Sequence, residues 1–475
     1  FCWPTAWTKP SLGMTLSRRH LLQRGAAFSL GFAGLRHVLA AGRIETPADS
    51  GYGPLVPDPN KTLDLPQGFT YRVISRRGET MSDGLAVPGQ PDGMAAFIGP
   101  AGTTILIRNH ELGPTHTKHG PWGVGHSLLS RTPRDKIYDY GKGRSPAIGG
   151  TTTLVYDTKE HRVQKQFLSL AGTYLNCAGG PTPWNTWLTC EECHISADKD
   201  IEKDHGYVFE VPATAAMELA PPVPLKAMGR FYHEAVAVDP RTGIIYLTED
   251  REDGLLYRFI PNRRGVLREG GSLQALVVRD RPSLITNNQS GAPTIHRSVP
   301  MAVEWKTLTE IDTPDNDLRH RGFAVGCARF ARGEGMWWGD NCTFFATTDG
   351  GANQRGQIWR YTPSADEGTP AEEQRPGTVE LYLEPNDASA VENADNITVA
   401  PWGDLFICED EAVAGDDVNR LMGVTPDGRF YPFARNSMSA SELAGVCFSP
   451  DGSTMFVNIQ GNGLTLAVTG PWKSR

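Results

Sequence analysis

The feature that most constrains the fold is a set of short apolar runs, each ending in a polar or acidic cluster. The runs are TTILIRNHE, NTWLTCEE, GIIYLTED, CTFFATTDGG, GDLFICEDE and STMFVNIQG. Several follow a first apolar run and a turn rich in Pro, Gly and Asp, as in HEAVAVDPRTGIIYLTED and DNITVAPWGDLFICED. Because such turns reverse the chain, the pattern predicts antiparallel hairpins.

Six such segments at irregular spacing predict an all-β protein, a six-bladed β-propeller with long insertions between blades. A β-sandwich is the alternative, but it offers no reason to repeat acids at strand ends. In a propeller, the innermost strands surround a central channel where these acids would converge. Since successive strand residues point to opposite faces, only one acid of each adjacent pair can face the channel. The sequence leaves open whether Glu191 or Glu192 does so.

The N-terminal region carries an export pattern. From Met14 the chain reads MTLSRRHLLQRGAAFSLGFAGLRHVLAAG, with paired arginines, a weakly apolar stretch and small residues at its end. This pattern predicts a twin-arginine signal peptide over residues 14–41, with an amphipathic surface helix as the alternative. Charged residues interrupt the apolar stretch, so it is too short for a stable membrane anchor.

These boundaries predict three parts. Residues 1–13 precede Met14 and are interpreted as an upstream extension that is not native, and residues 42–475 as a single β-propeller domain. We expect the twin-arginine translocase as a partner during export, and a periplasmic or secreted monomer. The net charge of -8 gives no basic footprint, so no nucleic-acid partner is expected.

Familiar catalytic and zinc motifs do not account for the chain. The sequence contains neither G-x-S-x-G nor a phosphate-binding P-loop. Cys190 and Cys193 have the spacing of half a zinc site, but no second C-x-x-C or H-x-x-x-H completes it. A structural zinc site is therefore disfavoured.

The strand-end acids are the stronger signal. Gathering carboxylates in one place is unfavourable without cations, because like charges repel. Calcium takes six to eight oxygen ligands, so a ring of carboxylates suits it. The sequence therefore predicts a metal site built from recurring acids. They are Glu111, Glu191, Glu192, Glu234, Glu249, Asp250, Asp349, Glu392, Asp395, Glu409 and Asp410.

Several of these motifs together resemble the PhoX-type alkaline phosphatases. The resemblance rests on NCAGGPTPWNTWLTCEE, GRFYHEAVAVDP, YLTEDR and ENADNITVAPWGDLFICED, with an early PDG and NHE, and spans most of the chain after Asp92. It implies a twin-arginine-exported, six-bladed propeller that hydrolyses phosphate monoesters. It also implies a central cluster containing Fe³⁺ and Ca²⁺, and small phosphorylated substrates as partners.

The resemblance also implies roles for individual residues. Asn109 and Arg230 would contact phosphate, and a guanidinium suits phosphate oxygens. Cys177 would be the thiolate ligand of iron, since thiolates suit iron better than calcium. The carboxylates expected to hold metal are Glu191, Glu192, Glu234, Glu249, Asp250, Glu392, Asp395 and Glu409.

Two other functions fit a propeller with acidic strand ends. A calcium-dependent lactonase-like hydrolase would need one central calcium and no thiolate. A non-catalytic propeller would use calcium only for stability and present a binding surface. Iron found together with several calcium ions would favour the phosphatase over both.

Overall fold

Short apolar runs separated by Gly, Pro, Asn and Asp become β-strands along the chain. The computed structural model describes residues 51–116, 118–289, 294–410 and 419–473. In these residues it contains 26 strands, short 3-10 turns and one α-helix, α1 (Leu318–Ala324). The predicted all-β class is confirmed. The predicted upstream extension (1–13) and signal peptide (14–41) lie outside the described residues, as does the start of the predicted domain.

Antiparallel hairpins in chain order build the sheets. Three strands come first: β1 (Leu55–Val56), β2 (Leu63–Pro66) and β3 (Thr70–Arg76). One sheet then contains β4 (Pro91–Ile98), β5 (Thr103–His110), β6 (Gly149–Asp157) and β7 (Arg162–Thr173). The next contains β8 (Asn176–Pro181), β9 (Thr186–Glu191) and β10 (Val208–Pro212).

The middle of the chain forms one nine-stranded sheet from two groups of four strands and a bridging strand. The first group is β11 (His233–Val238), β12 (Ile245–Glu249), β13 (Leu256–Pro261) and β14 (Gly271–Val278). The second is β16 (Gly333–Gly339), β17 (Cys342–Thr347), β18 (Gln357–Thr362) and β19 (Thr378–Leu383). The bridge is β15 (Met301–Thr307), which pairs with β14 and, through two residues, with β19.

The last two sheets tie the N-terminal strands to the C-terminal part. One contains β20 (Ala394–Val399), β21 (Leu405–Glu409), β22 (Arg420–Val424) and β23 (Phe430–Asn436), extended by β2 and β1. The other contains β24 (Leu443–Phe448), β25 (Thr454–Ile459) and β26 (Leu464–Thr469), and β3 is its fourth strand. Strands from the two ends of the described chain thus share a sheet, which closes the structure.

The first strands of the groups surround a common axis. Each of β4, β8, β11, β16, β20 and β24 contacts the first strand of the next group, and β24 contacts β4. The arrangement is therefore propeller-like. The hairpins predicted from sequence at β4–β5, β11–β12, β20–β21 and β24–β25 are all present.

Small residues allow these first strands to approach one another closely. A Cβ atom on Gly93 would lie 2.7 Å from the Cα of Ala178, and one on Gly335 would lie 2.6 Å from the carbonyl oxygen of Asp395. A cavity of about 20 Å³ lies among these first strands. Close packing here brings together whatever side chains lie at the beginnings of these strands. Within the described residues, no helix has both the length and the apolar character needed to cross a membrane.

Candidate metal centre

Each first strand is interrupted near its beginning. Pairing with the second strand of the hairpin skips two residues, a β-bulge that redirects the skipped side chains. The first skipped residue is Asp92 in β4, Cys177 in β8, Glu234 in β11, Glu334 in β16, Asp395 in β20 and Gly445 in β24. Five of six equivalent places thus carry a carboxylate or a thiol.

These side chains meet in space. Three groups have candidate ligand atoms within 4.8 Å of one another: Asp92, Glu111 and Cys177; Cys177, Glu192 and Glu234; and Glu234, Glu334 and Asp395. Because Cys177 and Glu234 each belong to two groups, the seven residues form one connected set. We call it the central acid cluster.

Glu111 and Glu192 enter the cluster from the ends of second strands. Each directly follows the last residue of its strand, His110 in β5 and Glu191 in β9. Glu191 itself is fully buried and points elsewhere. Its carboxylate accepts hydrogen bonds from the backbone of Tyr174, Gly206 and Tyr207 and from the ring of His205. The sequence leaves open whether Glu191 or Glu192 faces the centre, and in the structure it is Glu192 that faces the cluster.

The cluster is electrostatically unfavourable on its own. Burial raises the pKa of Glu111 to about 7, and repulsion from Asp395 adds to this. The pKa of Asp395 is likewise raised to about 7, by burial and by Asp410. Burial, followed by neighbouring acids, holds the pKa values of Asp92, Glu192, Glu234 and Glu334 well above the usual range. A compensating positive charge would relieve this repulsion.

Several buried carboxylate oxygens lack partners, which makes the cluster fit a cation. Among the described residues, neither oxygen of Glu234 has a hydrogen-bond partner, and neither does Oδ1 of Asp92. Leaving such groups buried and unpaired costs free energy. Six carboxylates suit calcium, and the single thiol suits a softer ion such as iron. The donor set therefore fits the calcium and iron that the family resemblance implies.

The surroundings of Cys177 suit a metal ligand better than a free nucleophile. Burial and then the carboxylates of Asp92 and Glu234 raise the pKa of its thiol well above the usual value. The thiol is thus protonated in the absence of metal, and a cation would displace its proton.

One arginine balances part of the negative charge, and sequence reasoning missed it. Arg332 donates from Nε and Nη2 to the two oxygens of Asp250 at 2.8 and 2.9 Å, and from Nη2 to Glu334 at 2.9 Å. Its side chain remains 30% exposed. Asp250 is thereby held at the edge of the cluster, although it belongs to none of the three groups.

Three other predicted ligands are in polar networks away from the cluster. Glu249 accepts from the hydroxyl of Tyr257 at 2.7 Å, and Glu409 pairs with Arg420 at 2.6 Å. Glu392 pairs with Arg355. Like Glu191, these carboxylates are outside the three groups. Glu249 and Glu409 end second strands, where alternation turns them toward partners within the sheets, whereas Glu392 precedes β20.

The two predicted phosphate contacts are also engaged elsewhere. Both amide hydrogens of Asn109 are donated, to the carbonyls of Cys177 and Ala178, and its oxygen accepts from Trp187 Nε1. The geometry therefore does not support Asn109 as a phosphate ligand.

Arg230 is likewise committed within the fold and is only 1% exposed. Its guanidinium donates to the carbonyls of His205 and Ile195 and to the hydroxyl of Ser196. It holds the loop after β9 and offers no open face to a ligand, so the structure does not support the predicted phosphate contact.

The acids that sequence reasoning missed are Asp92, Glu334 and Glu442. Glu442 precedes β24, and its pKa is raised well above the usual range by burial and by Asp410. The signal was an acid at the start of a strand, visible in PDGMAAF and SELAGVCF. Glu334 lies in GEGMWWG between two glycines, and sequence reasoning did not use its hairpin, although Asp340 and Asn341 form a two-residue turn between β16 and β17.

Comparisons with known proteins agree with this fold. A family model described as alkaline phosphatase PhoX matches residues 50–165 and 157–463. A comparison with curated proteins finds no match. Among solved structures, the chain is similar to Pseudomonas fluorescens PhoX in complex with vanadate, a transition state analogue. That likeness has 19% identity and a TM-score of 0.61, and covers 86% of this chain and 96% of that one.

Two further structures are more distant. A gluconolactonase from Xanthomonas campestris is 12% identical over 89% of this chain and 99% of its own, with a TM-score of 0.38. A protein of unknown function from Bacteroides thetaiotaomicron is 9% identical over 84% of this chain and 76% of its own, with a TM-score of 0.42.

Proposed function

Because the chain belongs to the PhoX family of alkaline phosphatases, we propose that it hydrolyses phosphate monoesters at the central acid cluster. The observation that carries this proposal is the cluster's set of buried carboxylates with oxygens that lack partners in the described residues. Such a set can bind several cations, and clustered cations can bind a phosphate dianion. The vanadate bound by the Pseudomonas fluorescens relative supports the same class of chemistry.

Within the cluster, each kind of donor would have its own role. Cys177 would bind iron through its thiolate, and carboxylates would bind calcium and complete the coordination of iron. These carboxylates are Asp92, Glu111, Glu192, Glu234, Glu334 and Asp395. When bound, these ions would act as Lewis acids and would neutralise the charge of the phosphate.

Arg332 is our candidate for the side chain that binds the phosphoryl group. Asp250 and Glu334 hold Nε and Nη2, which fixes the plane of the guanidinium, while Nη1 makes no hydrogen bond within the described part of the chain. An oriented, partly exposed guanidinium can donate to phosphate oxygens without reorganising. In this proposal Arg332 takes the role that the family resemblance implies for Arg230.

We also propose the finer architecture and location. Six first strands in a closed ring, each interrupted near its beginning, support six blades with insertions between them. The SRRHLL pattern supports export through the twin-arginine pathway to the periplasm or beyond, with residues 42–475 as one domain. A monomer is the expected state.

Hydrolysis of p-nitrophenyl phosphate at alkaline pH tests the proposed activity. Purified, metal-loaded protein should release p-nitrophenol, and chelation of calcium should abolish this, with recovery when calcium is returned. Elemental analysis of the same sample should find iron and calcium together. Calcium without iron, combined with lactone hydrolysis, would favour the lactonase-like alternative. A folded, fully metallated protein without phosphatase activity would refute the proposal.

A further inference from the structure

The bulges that redirect the ligand side chains also remove backbone pairing. Cys177 and Ala178 are skipped where β8 pairs with β9, so their carbonyls lose partners in that hairpin. Buried carbonyls without partners are costly and are rarely left unsatisfied. Asn109 in β5 supplies the missing donor, with Nδ2 at 3.0 Å from the Cys177 oxygen and 2.7 Å from the Ala178 oxygen.

The same arrangement recurs at two other junctions between neighbouring strand groups. Thr248 in β12 donates its hydroxyl to the carbonyl of Glu334 at 2.7 Å. Asn458 in β25 donates Nδ2 to the carbonyl of Asp92 at 2.7 Å. In each case an acceptor is the backbone carbonyl of a cluster residue in the next group of strands around the axis.

The three donors occupy equivalent places. Each is the second-last residue of the second strand of its hairpin, and each is at most 1% exposed. The corresponding residues of the other three hairpins are Cys190, Ala346 and Cys408, which lack an amide or hydroxyl. Donors thus occur at only some of the equivalent places, and each donor contacts a cluster residue.

We propose that Asn109, Thr248 and Asn458 are positioning residues, which orient Cys177, Glu334 and Asp92 toward bound metal by holding their carbonyls. Fixing a carbonyl fixes the peptide plane and hence the direction in which that residue's side chain leaves the backbone. This inference rests on the proposed metal centre but not on the identity of the substrate. It also explains why all the hydrogen-bonding groups of the Asn109 side chain are used within the fold.

Hydrogen bonds that orient ligands usually change metal affinity by roughly 10–100-fold when they are removed. Thr248→Val keeps the side-chain shape and removes the donor, so we expect metal affinity to fall in this range. Thr248→Ser keeps the hydroxyl and should restore affinity. Cys408→Ala is the matched control, because it changes a buried side chain at the equivalent place without removing such a bond.

The readouts are metal content per protein after dialysis against defined calcium and iron, and the thiolate-to-iron charge-transfer absorption. Asn109→Ala should shift or weaken that absorption, because Cys177 loses its anchor, whereas Cys408→Ala should leave it unchanged. If Asn109→Ala does not fold, Thr248→Val and Thr248→Ser carry the test through metal content.

Wild-type metal content and absorption in folded Asn109→Ala and Thr248→Val would overturn the proposal. Equal loss in Cys408→Ala would also overturn it, since the effect would then be general packing. These outcomes are independent of phosphatase activity. A wild-type protein that binds iron and calcium but hydrolyses no phosphate ester would refute the proposed function and leave this inference standing.

Discussion

Glu191 and Glu192 are consecutive in the chain but belong to different networks. The carboxylate of Glu191 lies 2.6 Å from Nδ1 of His205, whose Nε2 lies 3.2 Å from Asp139. Glu192 faces Cys177 and Glu234 in the central acid cluster. One residue of strand alternation thus separates a carboxylate that supports the loop after β9 from one that can bind metal.

The buried His205 predicts a loss of stability at alkaline pH. Although burial opposes protonation, Glu191 and Asp139 raise the pKa of His205 to about 9, above the usual value near 6.5. The raised pKa means that the charged ring stabilises the folded state fully below about pH 6.5, and that this contribution is lost as pH rises through about 9. His205→Gln should therefore lower Tm more at pH 6 than at pH 10. His126→Gln, at a partly exposed site, is the control, and a pH-independent difference would contradict the prediction.

Replacing Arg332 should reduce catalysis more than stability. Arg332→Ala removes a preorganised donor, so kcat/KM for p-nitrophenyl phosphate should fall by roughly 10²–10³-fold. Arg332→Lys should also be impaired, since it keeps charge but loses the planar fork. Arg360→Ala is the matched control, because Arg360 has similar exposure and pairs with Glu380 outside the cluster. Unchanged kinetics in Arg332→Ala would exclude it from phosphate binding.

Neutralising Glu234 should have opposite effects with and without metal. Burial and neighbouring acids raise its pKa, so its ionisation destabilises the metal-free fold increasingly as pH rises above its unfolded value. Metal-free Glu234→Gln should therefore have a higher Tm than metal-free wild type at pH 8. Calcium should stabilise the variant less, with affinity lowered at least about tenfold. Glu210→Gln, outside the cluster, should behave like wild type, and an equal calcium response in both variants would argue against the site.

Breaking the pair of Arg420 and Glu409 should affect stability but not metal content. Arg420→Ala leaves the carboxylate of Glu409 buried without its partner, which costs about 3–5 kcal/mol for a buried pair. Urea unfolding would measure this loss. Elemental analysis should show the wild-type metal stoichiometry, because Glu409 is outside the three ligand groups. Loss of metal from folded Arg420→Ala would restore Glu409 as a ligand candidate.

Much of the fold was predictable because its signals are local. Turns such as DPRTG and APWGD reverse the chain through proline and glycine, and the flanking apolar runs reveal the strands they join. Acids at strand ends also indicated a central cluster. The structure places several individual acids differently from the prediction. A bulge shifts which residues face the axis, and no turn motif in the sequence marks the position of a bulge.

Asn109 and Glu334 illustrate the two kinds of error. Asn109 was expected at phosphate, but its amide is used where β5 meets β8, a contact between residues 68 positions apart. Glu334 was overlooked because it lies between two glycines with no adjacent acid. Its importance becomes visible only when β16 is placed beside β11 and β20.

The all-β class, the hairpins and the supply of carboxylates follow from the amino-acid sequence alone, since these depend on neighbouring residues and on alternation along a strand. Which acids meet Cys177, and which form ion pairs elsewhere, depends on the three-dimensional fold. The fold brings these acids together through bulges, through small residues that let strands approach closely, and through hydrogen bonds from one strand group to the next. Each joins residues far apart in the chain, so no local pattern could specify it.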